Sequence, residues 1–435
     1  MKREAQMIIV SDLHLPLDAI EGDVCFMAKK TLKRLGIYPS DPEMHIFRRS
    51  VDARRRSDIH FVYSVAVTGS LPVGVLEKIG ERRYPHVALA AATDPTVRIG
   101  DARLPAPPVI VGAGPAGLFC ALMLAENGYE PILLERGGNV EERKAAVADF
   151  WEHHLLDPET NIQFGAGGAG TFSDGKLVTR VNDPLGAYVL RTLVRFGAPD
   201  EILTQAKPHI GTDILGGVVS AMLREVKRLG GSVRYHTRLD DMVCRGDAVS
   251  EVVTNRGDIP AGALVLATGH SARDTFEMLH KTGLFMEPKA FAVGFRVEHP
   301  QRDINCSQYG EKYAELLEAA PYKVTANLAN GRGVYSFCMC PGGYVVNASS
   351  EEKRLAVNGM SYSDRGSNNA NSAIIVSVTP DDFEGTDALS GVEFQRRLEE
   401  KAFALGNGKI PQQLFGDYCE NKKSTGYGKI GRAHV

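Results

Sequence analysis

The chain has 435 residues, of which 43% are hydrophobic and 24% charged, and its formal net charge is −3. These values are typical of a globular protein of two or three domains, and they exclude a general polyanion-binding protein. The 7 cysteines are scattered and odd in number, which indicates a reducing compartment rather than a disulfide scaffold. No apolar run approaches the ~18 residues of a membrane span, and the first residues lack a signal-peptide core. We therefore expect a cytoplasmic protein that does not cross a membrane.

The first 100 residues are predicted to form a separate α/β domain. Strands are expected at Met7–Val10 and Ile59–Val67, and apolar residues recur at helical spacing from Glu21 to Leu35, where Gly36 is a stop signal. Pieces of this size suit a ferredoxin-like accessory domain over residues 1–100. The proline-rich stretch 101–108 is then predicted to be a stiff linker.

Two local patterns in this domain have alternative interpretations. Ser11-Asp12-Leu13-His14 matches the opening motif of metallophosphoesterases, but the further ligand clusters that this chemistry needs do not occur in the sequence. We predict a turn at a strand end and no metal site. The arginines at 48, 49 and 54–56 could dock nucleic acid or an acidic protein, but Phe47 is the sole aromatic residue among them. A solvated or ion-paired hairpin is the favoured interpretation, and nucleic acid is not an expected partner.

The most informative stretch follows the linker. An apolar strand, Val109–Val111, leads into Gly112-x-Gly114-x-x-Gly117, and a helical pattern then runs to Gly128. A second apolar run ends on Glu135, whose carboxylate can accept hydrogen bonds from ribose hydroxyls. Together these elements form the dinucleotide-binding fingerprint: the first glycine permits the turn, the second lets a pyrophosphate approach, and the third lets helix and strand pack closely. The cofactor contacts predicted here are Gly112, Ala113, Gly114, Pro115, Ala116, Gly117, Glu135 and Arg136.

Later elements complete this domain, which is predicted over residues 107–275. An amphipathic helix from Leu215 to Val226 should be capped by Asp213 and end at Gly230-Gly231. Short strands follow, and the last of them, Ala263–Leu266, runs into Ala267-Thr268-Gly269. Such a turn late in the domain is typical of FAD-binding enzymes, where it passes close to the cofactor. Thr268 and Gly269 are therefore predicted contacts.

A glycine-rich segment, Gly165-Ala-Gly-Gly-Ala-Gly170, also has the spacing of a dinucleotide fingerprint. Its context argues against a second nucleotide site, because no convincing strand precedes it and no helical pattern follows. We predict instead a loop whose backbone folds against a flavin ring or pyrophosphate, with contacts from Gly167, Gly168 and Thr171. Lys176 could stabilise a reduced, anionic flavin, and a solvated lysine is an equally good interpretation.

The sequence becomes β-rich after residue 275, which predicts a substrate domain over 276–405 inserted into the nucleotide-binding domain. Residues 406–429 would begin the return to that domain. The last six residues, Ile430-Gly-Arg-Ala-His-Val435, back-translate to a sequence resembling a sequencing adapter. We therefore expect residues 430–435 to be foreign and the chain to be truncated, with a natural polar tail as the alternative.

The catalytic candidates are weak. His270 follows the Ala-Thr-Gly turn, and Cys338 and Cys340 could be a redox pair or a relay to a flavin. Two small residues at a strand end are the favoured interpretation of the cysteines. Arg273 and Asp274 could either pair with each other or serve an active site.

The chain from about residue 5 to 429 resembles a largely uncharacterised family of bacterial FAD-dependent, or NAD(P)/FAD-dependent, oxidoreductases. The segments that carry this resemblance are Leu133–Gly137, Asn161–Leu177, Ala267–Asp274, Pro288–Glu298, Ser336–Gly343 and Asn358–Ser361. The resemblance implies a Rossmann-like FAD-binding domain with an inserted β-rich substrate domain and an N-terminal accessory domain. The family usually continues into a glycine-rich segment that closes over FAD and that this sequence lacks, so weak FAD retention is expected.

Two hypotheses about function follow. The first is an FAD-dependent oxidoreductase that moves hydride or electrons between the flavin and an unidentified small molecule, with NAD(P)H as a candidate donor. The second is a flavin-binding sensor or scaffold in which the basic N-terminal domain binds a partner.

Overall fold

The structure is a computed structural model that describes residues 7–90, 100, 103–179, 181, 183 and 185–426. It divides into two compact units. The first unit combines residues 1–98, 176–210 and 305–317, and the second combines 99–175, 211–304 and 318–435. The tail at 430–435 lies outside the described residues, and the domain boundaries given above stay predictions.

The first unit contains a four-stranded antiparallel sheet. Its elements in chain order are β1 (Ile8–Leu15), α1 (Glu21–Arg34), β2 (Ser40–Asp52), β3 (His60–Ser70), α2 (Val75–Gly80) and β4 (Val87–Leu89). The strand order β2-β3-β1-β4 is that of a ferredoxin-like domain, which confirms the predicted fold. Val24, Ala28 and Leu32 of α1 recur at helical spacing and are fully buried in the core that the helix shares with the sheet.

The Ser11–His14 motif lies inside β1, at a register shift between Val10 and Leu13, and not in the predicted turn at a strand end. The Asp12 carboxylate accepts a hydrogen bond from His14 Nε2 at 2.8 Å, and His14 Nδ1 lies 2.7 Å from His60 Nε2. In the part of the chain that the structure describes, no three His, Cys, Asp or Glu side chains are arranged to hold a metal ion. The nearby basic segment is the hairpin between β2 and β3, where Arg54 pairs with Asp52.

The second unit is built on a parallel sheet. Its first elements are β5 (Pro108–Val111), α3 (Pro115–Glu126), β6 (Ile132–Leu134) and α4 (Val140–His153); α5 (Leu185–Arg195) belongs to the first unit. The chain continues through α6 (Thr212–Arg228), β7 (Ser232–Arg234), β8 (Leu239–Arg245), β9 (Ala248–Thr254), β10 (Ile259–Pro260) and β11 (Ala263–Leu266). The parallel strand order is β11-β5-β6-β7, and β8, β9 and β10 form a separate antiparallel sheet. This arrangement confirms the Rossmann-like prediction.

The α6 helix differs from the prediction at its start. Its N-cap is Gly211, so Asp213 lies within the first turn instead of capping the helix. The Asp213 carboxylate accepts hydrogen bonds from the Ser363 amide at 2.8 Å and the Ser363 hydroxyl at 2.6 Å. The sequence could not show this long-range partner, which takes the side chain that a local cap would have used.

The remainder of the second unit is mostly antiparallel. The elements in this part of the chain are α7 (Arg273–Lys281), β12 (Phe291–Pro300), α8 (Gln301–Tyr309), β13 (Thr325–Asn327), β14 (Gly333–Cys340), β15 (Gly343–Asn347), β16 (Val357–Ser361), β17 (Asn369–Val378), α9 (Ser390–Gly406) and α10 (Phe415–Cys419). All belong to the second unit except the later part of α8, whose residues from 305 onward belong to the first. One sheet has the order β12-β17-β14-β13, and β15 pairs with β16. The part of the chain after residue 275 is therefore rich in β-strands, as predicted. Across the described ranges, no helix has both the length and the apolar character needed to cross a bilayer.

Candidate cofactor-binding site

A cavity of about 450 Å³ lies where the strands β5, β6 and β11 end. In open parallel sheets, ligands bind at the carboxyl ends of the strands, and a cavity of this volume is in the range of small-molecule sites. The predicted contacts on its wall are Gly112, Gly114, Pro115, Ala116, Glu135, Arg136, Gly168, Thr268 and Gly269. The fold thus brings together residues from three separate parts of the sequence.

The three fingerprint glycines are required for different reasons. Gly112 has φ +103°, and a Cβ there would lie 2.4 Å from the Ala267 carbonyl oxygen; a Cβ on Gly117 would lie 1.9 Å from the Gly112 carbonyl oxygen. These two positions need glycine for the fold itself. Gly114 does not, because its Cβ would meet no atom closer than the Gly168 Cα at 3.8 Å. Gly114 lines the cavity at the N-terminus of α3, and a helix N-terminus is the kind of place where proteins stabilise a pyrophosphate.

Glu135 lies at the end of β6 and is 5% exposed. One carboxylate oxygen accepts a hydrogen bond from the Ala113 amide, and the other accepts from the amides of Gly137 and Gly165, each at 2.9 Å. The carboxylate of Glu135, predicted to bind ribose, therefore links three backbone segments through hydrogen bonds within the protein. It still lines the cavity, and its contact with ribose stays a prediction.

The glycine-rich segment forms a loop and one 3₁₀ turn, Ala169–Phe172, and not a second nucleotide-binding helix. Arg143 of α4 packs against this segment, and its guanidinium donates hydrogen bonds to the backbone carbonyls of Ala166 and Gly168. Gly168 and its two successors line the cavity, whereas Gly167 and Thr171 do not. The Thr171 hydroxyl is buried without a hydrogen-bond partner.

Arg136 forms the charged part of the cavity wall. Its guanidinium makes two hydrogen bonds to Glu159 and two to Asp274, at 2.8 to 3.1 Å. Burial alone would lower the pKa of Arg136, but these carboxylates outweigh it and raise the pKa. Arg238, which also lines the cavity, donates to Glu159 at 2.7 Å. Positive charge on this wall is thus largely balanced by carboxylates.

Of the two alternatives for Arg273 and Asp274, the mutual ion pair is wrong, because these neighbours do not pair with each other. Asp274 pairs with Arg136, while Arg273 donates to Glu351 and Glu399 at 2.6 to 2.9 Å. At the start of a helix, adjacent side chains point to different faces, so each meets a different partner.

His270 also lies on the cavity wall. The Gln163 amide nitrogen donates to the Ala348 carbonyl, which turns the Gln163 amide oxygen toward the Ser271 hydroxyl at 3.2 Å. Ser271 must donate to this oxygen, so it accepts from His270 Nδ1 at 2.7 Å. His270 Nε2 therefore carries the lone pair. Burial and, secondarily, the charge of Arg273 lower the pKa of His270, which favours this neutral form.

Other candidates lie away from the cavity wall. Ala113 is buried in the turn after β5, and Gly117 is buried in the first part of α3. Lys176 belongs to the first unit, where its backbone forms an isolated antiparallel β-bridge with that of His209. Cys338 and Cys340 lie on β14, where Arg296 donates to the Cys338 carbonyl at 2.7 Å. None of these residues lines the cavity.

Some residues of the wall lie outside every segment that the sequence assigned to the cofactor, among them Gln163, Phe164, Thr237, Arg238 and Leu239. The last three come shortly after the end of β7, with Leu239 as the first residue of β8, so the rule that ligands meet the carboxyl ends of parallel strands could have identified them. Phe164 lies under the Arg136 guanidinium, 4.2 Å from it. Its sequence position in an irregular segment gave no such signal.

A parallel sheet with this glycine turn and a cavity at its strand ends defines a dinucleotide-binding protein. Residues 107–292 match the family described as pyridine nucleotide-disulphide oxidoreductase, and 290–434 match that described as FAD-dependent protein, C-terminal domain-like. A relative from Clostridium beijerinckii, an uncharacterized protein, is 44% identical over 428 residues, which are 97% of this chain and 79% of the relative. The chain belongs to the FAD-dependent oxidoreductase family of this relative, and the cofactor of that family is FAD. The recognition made from the sequence is confirmed.

Two further comparisons add less. Residues 7–68 match a domain of unknown function. Among solved structures, Thermovibrio ammonificans THI4 is 18% identical, with 42% of this chain and 66% of that chain covered at a TM-score of 0.29. The amino acid oxidase NikD is 15% identical, with coverage of 64% and 73% and a TM-score of 0.29. Superposition at this level does not define a substrate.

Proposed function

We propose that this protein is an enzyme that transfers hydride or electrons between FAD in the cavity and a small-molecule substrate. The observation that carries the proposal is Gly114, a glycine that the fold itself does not require and that faces the cavity at the start of α3. An extended dinucleotide would place its pyrophosphate here and its adenosine ribose toward Glu135. Bound FAD supplies reversible acceptance of hydride or electrons.

The residues of the cavity support defined roles in this proposal. Arg136 and Arg238 carry carboxylate partners, so they would orient the nucleotide through hydrogen bonds more than through net charge. His270, neutral with its lone pair on Nε2, is suited to accept a proton from a bound molecule. The β-rich part of the second unit is our candidate for the substrate-binding region.

NAD(P)H is the proposed electron donor, supported by the description of the family that matches residues 107–292. We also propose that the protein works in a reducing compartment such as the cytoplasm. All seven cysteines lie in the described part of the chain, and none of them forms a disulfide. Nucleic acid is not a proposed partner.

The second candidate function is a flavin-binding sensor or scaffold. It is favoured by a separate compact first unit, which carries the arginine-rich hairpin between β2 and β3. In that case flavin binding would report on a partner without substrate turnover.

The deciding experiment is purification of the chain with FAD, followed by a flavin spectrum and anaerobic addition of NADH or NADPH. The enzyme proposal requires stoichiometric FAD that is bleached by one nicotinamide and reoxidised by an added acceptor in repeated cycles. Stable FAD binding with no reduction by either donor and no turnover in an acceptor screen would favour the sensor. Absence of FAD binding in the wild-type chain would contradict both.

A further inference from the structure

Arg143 is the largest fully buried side chain among the residues that the structure describes, and it is 1% exposed. It projects from α4 toward the glycine-rich loop, and its planar guanidinium donates four hydrogen bonds, one to each of four backbone carbonyls. These are the carbonyls of Asn161 at 2.9 Å, Ile162 at 2.6 Å, Ala166 at 2.9 Å and Gly168 at 2.9 Å.

The charge of Arg143 has no ion-pair partner in contact. Among the described residues, no carboxylate accepts a hydrogen bond from this guanidinium, and Glu135 acts on it through space alone. Burial lowers the pKa of Arg143 to about 10, with the negative charge of Glu135 opposing the shift. At pH 7 the side chain therefore remains a cation. A buried cation without a paired anion is costly unless something else compensates its charge.

The loop is shaped around this side chain. Gly165 has φ +118°, and a Cβ on it would lie 2.4 Å from Arg143 Cδ, so the arginine fills the space below the loop. The carbonyls of Ala166 and Gly168 turn toward the guanidinium, which directs their negative ends away from the cavity. On the cavity side, Gly168 approaches Gly114 at the start of α3.

We propose that Arg143 is a positioning residue for a diphosphate: it withdraws the loop carbonyls from the cavity and places a fixed positive charge beneath the bound phosphates. This rests on the proposed binding of FAD. The ligand chemistry is that of a nucleoside diphosphate, whose negative charge compensates the buried cation. Loss of the charge should then weaken phosphate-bearing ligands selectively, whereas mere loosening of the loop should weaken adenosine as much as ADP.

The test compares ADP with adenosine on the full chain, by calorimetry, in wild type, Arg143→Met and Arg143→Lys. In the Met variant, the ratio of ADP affinity to adenosine affinity should fall by about tenfold. The Lys variant keeps the charge and should retain most of that ratio although it loses part of the carbonyl hydrogen bonds. FAD affinity should follow ADP affinity.

Arg396→Met is the control, because Arg396 is a partly buried arginine whose partners are the carboxylates Glu277, Glu351 and Glu393. It should lower the unfolding temperature while the ADP-to-adenosine ratio stays at the wild-type value. An unchanged ratio in folded Arg143→Met would overturn the inference. If the Met variant does not fold, the Lys variant decides: an equal loss of affinity for ADP and for adenosine in Arg143→Lys would also overturn the inference. A wild-type chain that binds neither ADP nor FAD would instead contradict the proposed function.

Discussion

Gly114 and Gly168 approach each other beside the cavity, and their contact is asymmetric. A Cβ on Gly168 would lie 2.8 Å from the Gly114 Cα, whereas a Cβ on Gly114 would lie 3.8 Å from the Gly168 Cα. Gly168 also has φ +65°, while Gly114 has φ −73°, a value that any residue adopts. The fold therefore excludes a side chain at Gly168 but tolerates one at Gly114, so a substitution at Gly114 tests the proposed cofactor contact without disturbing the fold.

Gly114→Ala is expected to leave the cofactor-free protein as stable as wild type and to weaken FAD binding by about tenfold or more, because its methyl group enters the space of the pyrophosphate. Gly114→Val should abolish binding. Flavin stoichiometry after reconstitution and thermal unfolding without FAD are the two measurements. Wild-type FAD occupancy in Gly114→Val would show that the cofactor does not approach this turn.

The control for this experiment is Gly117→Ala, three residues further on and inside α3. Its Cβ would overlap the Gly112 carbonyl oxygen at 1.9 Å, so the packing of α3 on β5 must open. We expect a loss of several kcal/mol of unfolding free energy in the cofactor-free protein. Equal behaviour of the two alanine variants would contradict the distinction between a fold-determined and a ligand-determined glycine.

Glu135→Ala is expected to destabilise the cofactor-free protein as well as to weaken FAD binding. Removal of the carboxylate leaves the buried amides of Ala113, Gly137 and Gly165 without their acceptor, at a cost of about 3 kcal/mol or more. Chemical denaturation of the apoprotein measures this. Glu130→Ala, an exposed glutamate just before β6, is the control and should change stability by less than about 0.5 kcal/mol. Unaltered apoprotein stability in Glu135→Ala would show that the ribose contact is its main role.

The sequence predicted Glu135 as a ribose ligand, whereas in the structure its carboxylate accepts hydrogen bonds from three backbone amides. The βαβ spacing predicted its place at a strand end, because the fingerprint is a local pattern. Its hydrogen bond to Gly165 joins residues 30 positions apart through an irregular loop, and no periodicity encodes such a contact. For the same reason the sequence predicted the glycines of the turn but not Arg143, which resembles any other helical arginine until the loop folds over it.

In the first unit, the strand β2 likewise could not be predicted from its local sequence. The apolar runs predicted β1 and β3, whereas β2 was missed because its 13 residues, Ser40–Asp52, are mostly polar and none is fully buried. That strand exists because β3 pairs with it along most of its length. Tertiary pairing here outweighs a weak local signal.

Glu351→Gln is expected to lower stability at pH 7 by about 1–2 kcal/mol, a value reduced from that of a fully buried pair because the side chain is 22% exposed. Glu351 accepts hydrogen bonds from Arg273, Arg354 and Arg396. Burial would raise the pKa of Glu351, but the hydrogen bonds from Arg396 and Arg273 prevail and lower it from 4.5 to about 2.

The sign of the pH dependence follows from this lowered pKa. The stabilisation by Glu351 is fully present above its unfolded value of 4.5 and is lost as the pH falls toward about 2. Urea denaturation of wild type and variant should therefore show a difference that is constant above about pH 5 and narrows toward pH 3. A difference that grows on acidification would contradict the assigned ion pairs. Glu352→Gln is a suitable neighbouring control, since Glu352 is exposed.

The double variant Cys338→Ser, Cys340→Ser is expected to keep FAD reduction and reoxidation close to wild type. Neither cysteine lines the cavity, and the Cys340 thiol is buried where Arg296 Nη2 lies 3.7 Å from its sulfur. Burying a hydroxyl in place of this thiol should cost about 1 kcal/mol of stability without touching electron transfer. Stopped-flow reduction by the nicotinamide that reduces wild type, together with thermal unfolding, separates the two effects. Cys244→Ser, at an exposed position on β8, is the control and should change neither quantity. Complete loss of flavin reduction with an intact flavin spectrum would instead establish a thiol relay, and would require β14 to reach the flavin during turnover.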